Sequence, residues 1–235
     1  MNTVTCGGIY HDAGIRLQAD DATVSLNVIH SNQGPGVVVA DKTGITISQN
    51  SIYNNGQRAD ALGIDLDDTN KMGDGVTLND NGHSDNGPNN LLNFPIIYSA
   101  FMSGTNLVVK GWARPGATME FFLTDIHEGT ATAGDNELGL SKDYGEGQTY
   151  LGAVVEGSVA DSDGGSSTYT DTDGNTDNTN QFQVSFPVPP GVNVGDFITA
   201  TATLSNSTSE FSPFSLILVR TVITNRRITY RVNGN

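Results

Sequence analysis

The chain has 235 residues, of which 36% are apolar and only 16% are charged, and its formal net charge is −15. Such an acidic surface repels nucleic acid and anionic membranes, so we expect neither as a partner. The single cysteine, Cys6, excludes an intrachain disulfide. The sequence has no run of about 20 apolar residues, so it predicts no membrane-spanning segment. The 28 glycines, with many Asn, Ser and Thr residues, favour short strands and turns over helices.

Two short phrases repeat along the first part of the chain. Glycine followed by apolar residues occurs at 14–17, 36–39 and 63–66, at steps of 22 and 27 residues. A second phrase occurs at 27–32 and again at 50–55, a step of 23. One turn of a parallel β-helix has this length, and its coils stack at about 4.8 Å. The repeats therefore predict about three right-handed coils over residues 9–66. A leucine-rich repeat is the alternative solenoid, and it needs a denser leucine pattern.

The repeats also predict which side chains face inward. Asn27 and Asn50 are expected at equivalent corners, where asparagine tolerates left-handed backbone and bonds to the neighbouring coil. Arg16, Val38 and Asp65 form the expected outward row of the best-defined strand. The inward positions are Ile15, Leu17, Val24, Leu26, Val37, Val39, Ile45, Ile47, Ile64 and Leu66.

The first coil begins in the middle of a repeat. The unpaired end of a solenoid exposes strand edges that invite association. We therefore expect either that further coils precede Met1 or that a second subunit covers this end. Self-association through this end and through a C-terminal strand at 221–232 is accordingly one functional hypothesis.

The rest of the chain predicts a second, sheet-based domain. Residues 1–94 are interpreted as the coils with an Asp/Asn-rich closing segment, 95–219 as an Ig-like β-sandwich, and 220–235 as a basic strand or linker. Trp112 is the expected core aromatic of the sandwich, and 125–148 and 160–180 are expected surface loops. The predicted strands are 96–101, 106–113, 118–124, 149–159, 181–188, 197–204 and 214–219.

Seven phrases of the chain are distinctive together, and they stand at 47–55, 63–66, 74–80, 85–95, 145–152, 197–203 and 208–212. Together they resemble the right-handed β-helix repeat proteins of bacterial surfaces. That resemblance implies an all-β architecture, a short β-helix of about three coils followed by an Ig-like sandwich, in a secreted or surface-attached bacterial protein. It implies a structural or adhesive role, with polysaccharide or other surface proteins as partners, and it supplies no catalytic motif.

Calcium is the cofactor that the composition favours. Hard cations take six to eight oxygen ligands from carboxylates, amides and carbonyls, and two segments are dense in such groups. Neither segment satisfies the EF-hand pattern, so solvated acidic turns are the alternative. The candidate ligands are Asp65, Asp67, Asp68, Asp74, Asp80 and Asp85 in the first segment, and Asp161, Asp163, Asp171, Asp173, Asn175 and Asp177 in the second.

Catalysis on polysaccharide is the enzymatic alternative, because parallel β-helices can carry such sites. A glycosidase needs two carboxylates about 5–10 Å apart across a cleft. Asp20 and Asp41, on neighbouring turns, form the one obvious pair, and acids at turns are also common for solubility alone. We therefore expect a non-catalytic module, with carbohydrate binding or cleavage as the alternative.

Overall fold

Residues 12–57, 61–67, 75–82, 85–124 and 140–220 are described by a computed structural model. Seven short strands form the first part of the structure, which we call the solenoid. No helix among the described residues is long and apolar enough to cross a membrane. The solenoid strands are β1 (Ile15–Leu17), β2 (Thr23–Ser25), β3 (Val28–His30), β4 (Val37–Ala40), β5 (Thr46–Ser48), β6 (Ser51–Tyr53) and β7 (Ile64–Asp67).

The solenoid strands pair in parallel at the predicted period. Strand β4 lies between β1 and β7, while β2 pairs with β5 and β3 with β6. Ile15, Val37 and Ile64 share one register, which confirms the repeat that the sequence predicted. The inward side chains of the three strand rows form one buried apolar cluster. Two complete coils and the first strand of a third therefore lie in the described residues.

Leu26 does not point inward as predicted. Its side chain is 76% exposed, and its backbone is left-handed with φ 59°. Val24 pairs with Ile47, so β2 ends before Leu26, which comes to lie at a corner. The amide of Leu26 bonds across the coils to the carbonyl of Ser48. The alternation of inward and outward side chains along a strand stops here, because the chain turns before the next inward position.

Asparagines stack between the coils, but not by adopting left-handed backbone themselves. The Oδ1 atom of Asn50 accepts the backbone N–H of Asn27 at 3.0 Å and its side-chain amide at 3.1 Å. A second stack joins Asn32 to Oδ1 of Asn55, with Nδ2 at 2.7 Å. The left-handed residues at the first corner are Leu26 and Gln49, one position earlier. The side-chain amides therefore hold the corners together by hydrogen bonds between coils.

Ten strands follow a 3-10 helix (Pro88–Leu91), and we call them the C-terminal unit. Its main sheet runs β11-β10-β15-β17-β8-β9-β14, and neighbours are antiparallel except β17 and β8. The seven predicted strands are all present within a few residues. The strands are β8 (Ile96–Ser103), β9 (Asn106–Ala113), β10 (Thr118–Thr124), β11 (Thr149–Val155), β12 (Tyr169–Thr170), β13 (Thr176–Asp177), β14 (Asn180–Pro187), β15 (Phe197–Leu204), β16 (Ser207–Thr208) and β17 (Ser215–Val219).

The core of the C-terminal unit is built around Phe121 and Phe182, whose ring centroids lie 6.1 Å apart. Trp112 was predicted to fill this core, and that prediction is wrong. Along β9 the inward positions are Leu107, Val109 and Gly111, so Trp112 falls on the opposite face and is only partly buried. The face on which Trp112 lies is set by the alternation of side chains along β9, and not by the size of its ring.

The described parts of the two expected surface loops include buried residues. Residues 143–147 are buried, while 125–139 lie outside the described residues. Within 160–180, β12 and β13 form a small antiparallel hairpin, and Asn175 and Asp177 are fully buried beneath it. The predicted strand at 221–232 also lies outside the described residues.

Candidate functional site

The end of the solenoid that faces the C-terminal unit would leave a row of backbone N–H groups without a neighbouring coil. Buried backbone donors are almost always paired, because an unpaired one costs about 1–3 kcal/mol. Here the partners include three glutamates of the C-terminal unit, Glu120, Glu146 and Glu210, which we call the capping glutamates. All three are buried. The joint between the two parts is therefore a buried polar site built from both of them.

Glu146 ends one of the asparagine stacks. Its Oε2 atom accepts the backbone N–H of Asn55 at 2.9 Å, and its Oε1 atom accepts the side-chain amide of Asn55 at 2.6 Å. Asn55 in turn accepts from Asn32 of the first coil. A carboxylate thus stands where the asparagine of a further coil would otherwise lie. Charge-assisted hydrogen bonds of this kind are roughly twice as strong as neutral ones.

Glu120 and strand β16 close the edge of strand β5. The Oε2 atom of Glu120 accepts the backbone N–H of Gln49 at 2.8 Å, and its Oε1 atom accepts the hydroxyl of Ser48 at 2.5 Å. Thr208 of β16 accepts the N–H of Ile47 through its hydroxyl at 2.9 Å and donates its own N–H to the carbonyl of Ile45 at 3.1 Å. A short strand and one carboxylate therefore replace the next coil.

Strand β6 is closed by backbone carbonyls and by two aromatic rings. The carbonyl of Gly147 accepts the N–H of Ile52 at 2.9 Å, and that of Gln148 accepts the hydroxyl of Ser51 at 2.6 Å. Phe122 and Phe211 belong to the apolar cluster of the solenoid, with their ring centroids 5.5 Å apart and nearly perpendicular. The solenoid core thus ends on side chains of the C-terminal unit.

Glu210 lies beside strand β7 and is fully buried. Its Oε1 atom accepts the N–H of Leu66 at 3.0 Å, and its Oε2 atom accepts the N–H of Thr77 at 2.8 Å. Burial, followed by the nearby carboxylate of Asp65, raises the pKa of Glu210 well above the ordinary value of 4.5, although these hydrogen bonds oppose the shift. Ionising Glu210 therefore costs more free energy in the folded protein than in the unfolded chain.

We expect this raised pKa to make stability depend on pH. The folded state holds the proton of Glu210 at pH values where the unfolded chain has lost it, so the free energy of unfolding falls as pH rises above about 4.5. Glu210→Gln removes the titrating group. Urea unfolding of both proteins from pH 4 to pH 8 should show wild type losing stability relative to the variant as pH rises. A constant difference across this range would contradict the assignment.

The first group of candidate calcium ligands is spread along the joint. Asp65 is buried on β7, Asp67 ends that strand, and Asp68 and Asp74 lie outside the described residues. Asp80 accepts the N–H of Gly82 in its own turn at 2.9 Å. Asp85 lines a cavity of about 380 Å³ that also contains Arg114, whose pKa is lowered by burial. The described members of this group thus lie at different places along the joint.

The second group of candidate ligands organises the hairpin of β12 and β13. Asp171 accepts three backbone N–H groups, those of Asp173, Gly174 and Asn175, and it forms an ion pair with Lys142 at 3.2 Å. Burial opposes its ionisation, but hydrogen bonds from Asn175 and Lys142 outweigh that effect and lower the pKa of Asp171. The carboxylate is thus kept ionised by protein donors.

The other members of that group have similar roles. Asp161 accepts the N–H groups of Gly157, Asp163 and Gln183, and Asp163 accepts that of Gly165. Asp173 accepts the backbone N–H of Ser141, Asn175 accepts that of Asn79, and Asp177 accepts that of Thr179. Among the described residues, no three or more His, Cys, Asp or Glu side chains are grouped as a metal site. Calcium at either segment stays a prediction.

The structure brings Asp20 and Asp41 to one groove, of about 450 Å³, where Asp85 joins them. Oδ1 of Asp20 accepts the N–H of Thr43 from the next coil at 3.0 Å, so this carboxylate also holds a turn. Arg16, Val38 and Asp65 share one register as predicted, but the row does not face outward, because Val38 and Asp65 are buried.

The capping glutamates were not identified from the sequence. A signal for them was present, since Glu146 stands between two glycines and Glu210 between Ser209 and Phe211, in segments with few other charges. Both lie in phrases that carry the resemblance to β-helix surface proteins. Their role becomes visible only when coils and sheet are brought together.

One comparison with known families bears on the solenoid. A family model described as a right handed beta helix region matches residues 2–92. The match spans the predicted coils and the 3-10 helix (Pro88–Leu91), and it ends before the first strand of the C-terminal unit. It therefore supports the β-helix repeat in this part of the chain, which is similar to such regions.

Proposed function

We propose that this chain is a non-catalytic structural or adhesive module of a secreted or surface-attached bacterial protein, in which the C-terminal unit terminates a β-helix. One observation carries the proposal, namely that the three buried capping glutamates accept backbone N–H groups in β7 and at the corners that follow β5 and β6. Seven strands around one apolar core support the assignment of an Ig-like sandwich to this terminating unit.

A sealed end gives a solenoid two useful properties. Strand edges that are hydrogen-bonded to another element cannot recruit a further chain, which prevents aggregation at that end. Apolar side chains of both parts also share one core at the joint. A stiff spacer that passes force directly into a folded sheet suits a surface protein.

Single-molecule pulling on the whole chain tests this function. If the joint transmits force, the solenoid and the C-terminal unit should unfold in one event, and Glu146→Ala should lower the force of that event. Asp163→Ala, which removes an acceptor in an exposed turn, is the matched control and should leave the force unchanged. Two separate unfolding events, with forces that Glu146→Ala does not change, would refute the proposal.

Polysaccharide cleavage is the second candidate, favoured by the groove that gathers Asp20, Asp41 and Asp85. Release of reducing ends from a polysaccharide panel, abolished by Asp20→Asn and Asp41→Asn, would establish it in place of a non-catalytic role. Calcium stabilisation is a further proposal supported by the acidic composition. A melting temperature that rises between chelator and millimolar calcium would support it.

A further inference from the structure

One face of the C-terminal unit is partly exposed among the described residues. Strands β8, β9 and β14 turn Ala100, Val109 and Val184 toward the apolar core, and we call the opposite side of these strands the outer face. In register, Ser99 lies beside Lys110, which lies beside Gln183. A shallow cavity of about 570 Å³ lies over these residues, within the range of ligand sites.

Aromatic rings border this cavity and are held in fixed positions. Tyr98 is 49% exposed, and its ring centroid lies 5.0 Å from that of Trp112. The indole N–H of Trp112 donates to the hydroxyl of Ser167 at 2.9 Å, and the indole also packs against Tyr169 at 4.9 Å. Tyr98 therefore presents a supported, half-exposed ring, which is a large amphipathic surface with little conformational entropy to lose on binding.

The outer face carries positive charge on a strongly acidic protein. Lys110 and Arg220 both line the cavity, and within the described part of the chain neither forms an ion pair. The Arg220 guanidinium lies 5.8 Å from the ring centroid of Phe101. One acid, Asp161, forms a bridge with Val184 of β14, and its Oδ1 atom accepts the backbone N–H of Gln183. Against a net charge of −15, two cations facing one cavity mark it for an anionic ligand.

We propose that the outer face binds an anionic polysaccharide of the uronic acid class. Uronate carboxylates would pair with Lys110 and Arg220, while the C–H face of a sugar ring would stack on Tyr98. The side-chain amide of Gln183 donates to Ser162 at 2.8 Å, which leaves its carbonyl oxygen to accept a sugar hydroxyl. Stacking, paired charges and amide hydrogen bonds in one shallow cavity are the complement of such a polymer. This binding site is additional to the proposed structural role and does not depend on it.

Calorimetric titration of the full chain with polygalacturonate tests the site, with dextran as the neutral polymer. We expect polygalacturonate to bind, and to bind more weakly as salt rises, because the contacts are ionic. Lys110→Glu and Tyr98→Ala should each weaken binding about tenfold or more. Lys42→Glu reverses a cation that lines the groove of Asp20 and Asp41 instead. This control reports on binding at that groove, and it should change the affinity by less than about twofold. Unchanged melting temperatures would show that the variants fold.

Several outcomes would overturn the proposal. Absence of binding to polygalacturonate would do so, as would equal binding to dextran. Binding that Lys110→Glu and Tyr98→Ala do not weaken would also overturn it. The case would be stronger if replacing Arg226, Arg227 and Arg231 by alanine abolished the binding. Light scattering measures the oligomeric state as a last test. If the chain forms a dimer and Tyr98→Ala dissociates it, a second copy of this chain occupies the outer face.

Discussion

Glu146→Ala should lower the free energy of unfolding by about 3 kcal/mol. The change leaves the buried backbone N–H of Asn55 without its acceptor, which costs about 1–3 kcal/mol. It also removes the charged acceptor of the Asn55 side-chain amide, which keeps only the carbonyls of Ile29 and Tyr53. The asparagine stack through Asn32 would lose its end partner as well. Urea unfolding followed by far-UV circular dichroism and by the fluorescence of Trp112, the single tryptophan, measures the effect.

Two variants make this prediction specific. Glu146→Gln keeps the shape and one acceptor but turns an amide N–H toward a donor, so we expect a loss intermediate between wild type and alanine. Asp163→Ala removes one backbone acceptor in an exposed turn and should cost less than about 1 kcal/mol. If Glu146→Ala costs no more than Asp163→Ala, the carboxylate does not cap the solenoid.

Gly36→Ala should destabilise the solenoid by about 3 kcal/mol through overpacking. A Cβ atom at this position would lie 2.6 Å from the carbonyl oxygen of Gly63 on the next coil and 2.7 Å from Cγ2 of Ile52. The carbonyl is backbone and cannot rotate away, so the two coils would have to separate. That movement would strain the bond from the N–H of Val37 to the same carbonyl, now 2.9 Å. Chemical denaturation measures the loss.

The matched control for that substitution is Gly164→Ala. A Cβ atom there would meet nothing within 4 Å, and the backbone is not left-handed. We expect a change within about 0.5 kcal/mol, as for ordinary surface substitutions. Comparable losses in the two variants would mean that the close approach of coils at Gly36 does not matter to stability.

The solenoid could be predicted from sequence because its repeats follow one another at a short, nearly regular spacing. Each coil repeats the same contacts about 22 residues later, so Gly14, Gly36 and Gly63 recur wherever the coils approach closely. The apolar alternation gives the inward rows for the same reason. Leu26 was placed wrongly because a corner interrupts the alternation, and the corner is set by hydrogen bonds to the next coil.

The joint could not be predicted because its partners are remote in sequence. Glu146 meets Asn55 across 91 positions, and Glu210 meets Leu66 across 144, and no repeat links them. Trp112 was assigned to the core for its size, whereas the register of β9 against β8 and β14 places it outside. The second acidic segment indicated calcium by composition, yet in the structure Asp171 accepts backbone donors and pairs with Lys142.

The joint also bears on how the two parts behave as separate units. Phe122 and Phe211 lie in the apolar cluster of the solenoid although both belong to the C-terminal unit. Separating the parts would expose these rings and leave the capping glutamates without their donors. We therefore expect the solenoid and the C-terminal unit to fold and unfold together.

Hydrogen–deuterium exchange in increasing urea, resolved by peptide, tests this central claim most directly. If the C-terminal unit seals the solenoid, amides of β5 and β6 should exchange through the same global opening as those of β9 and β10, with one free energy. Glu146→Ala should lower both together. Solenoid amides that exchange freely while β9 and β10 stay protected, with no response to Glu146→Ala, would contradict the account.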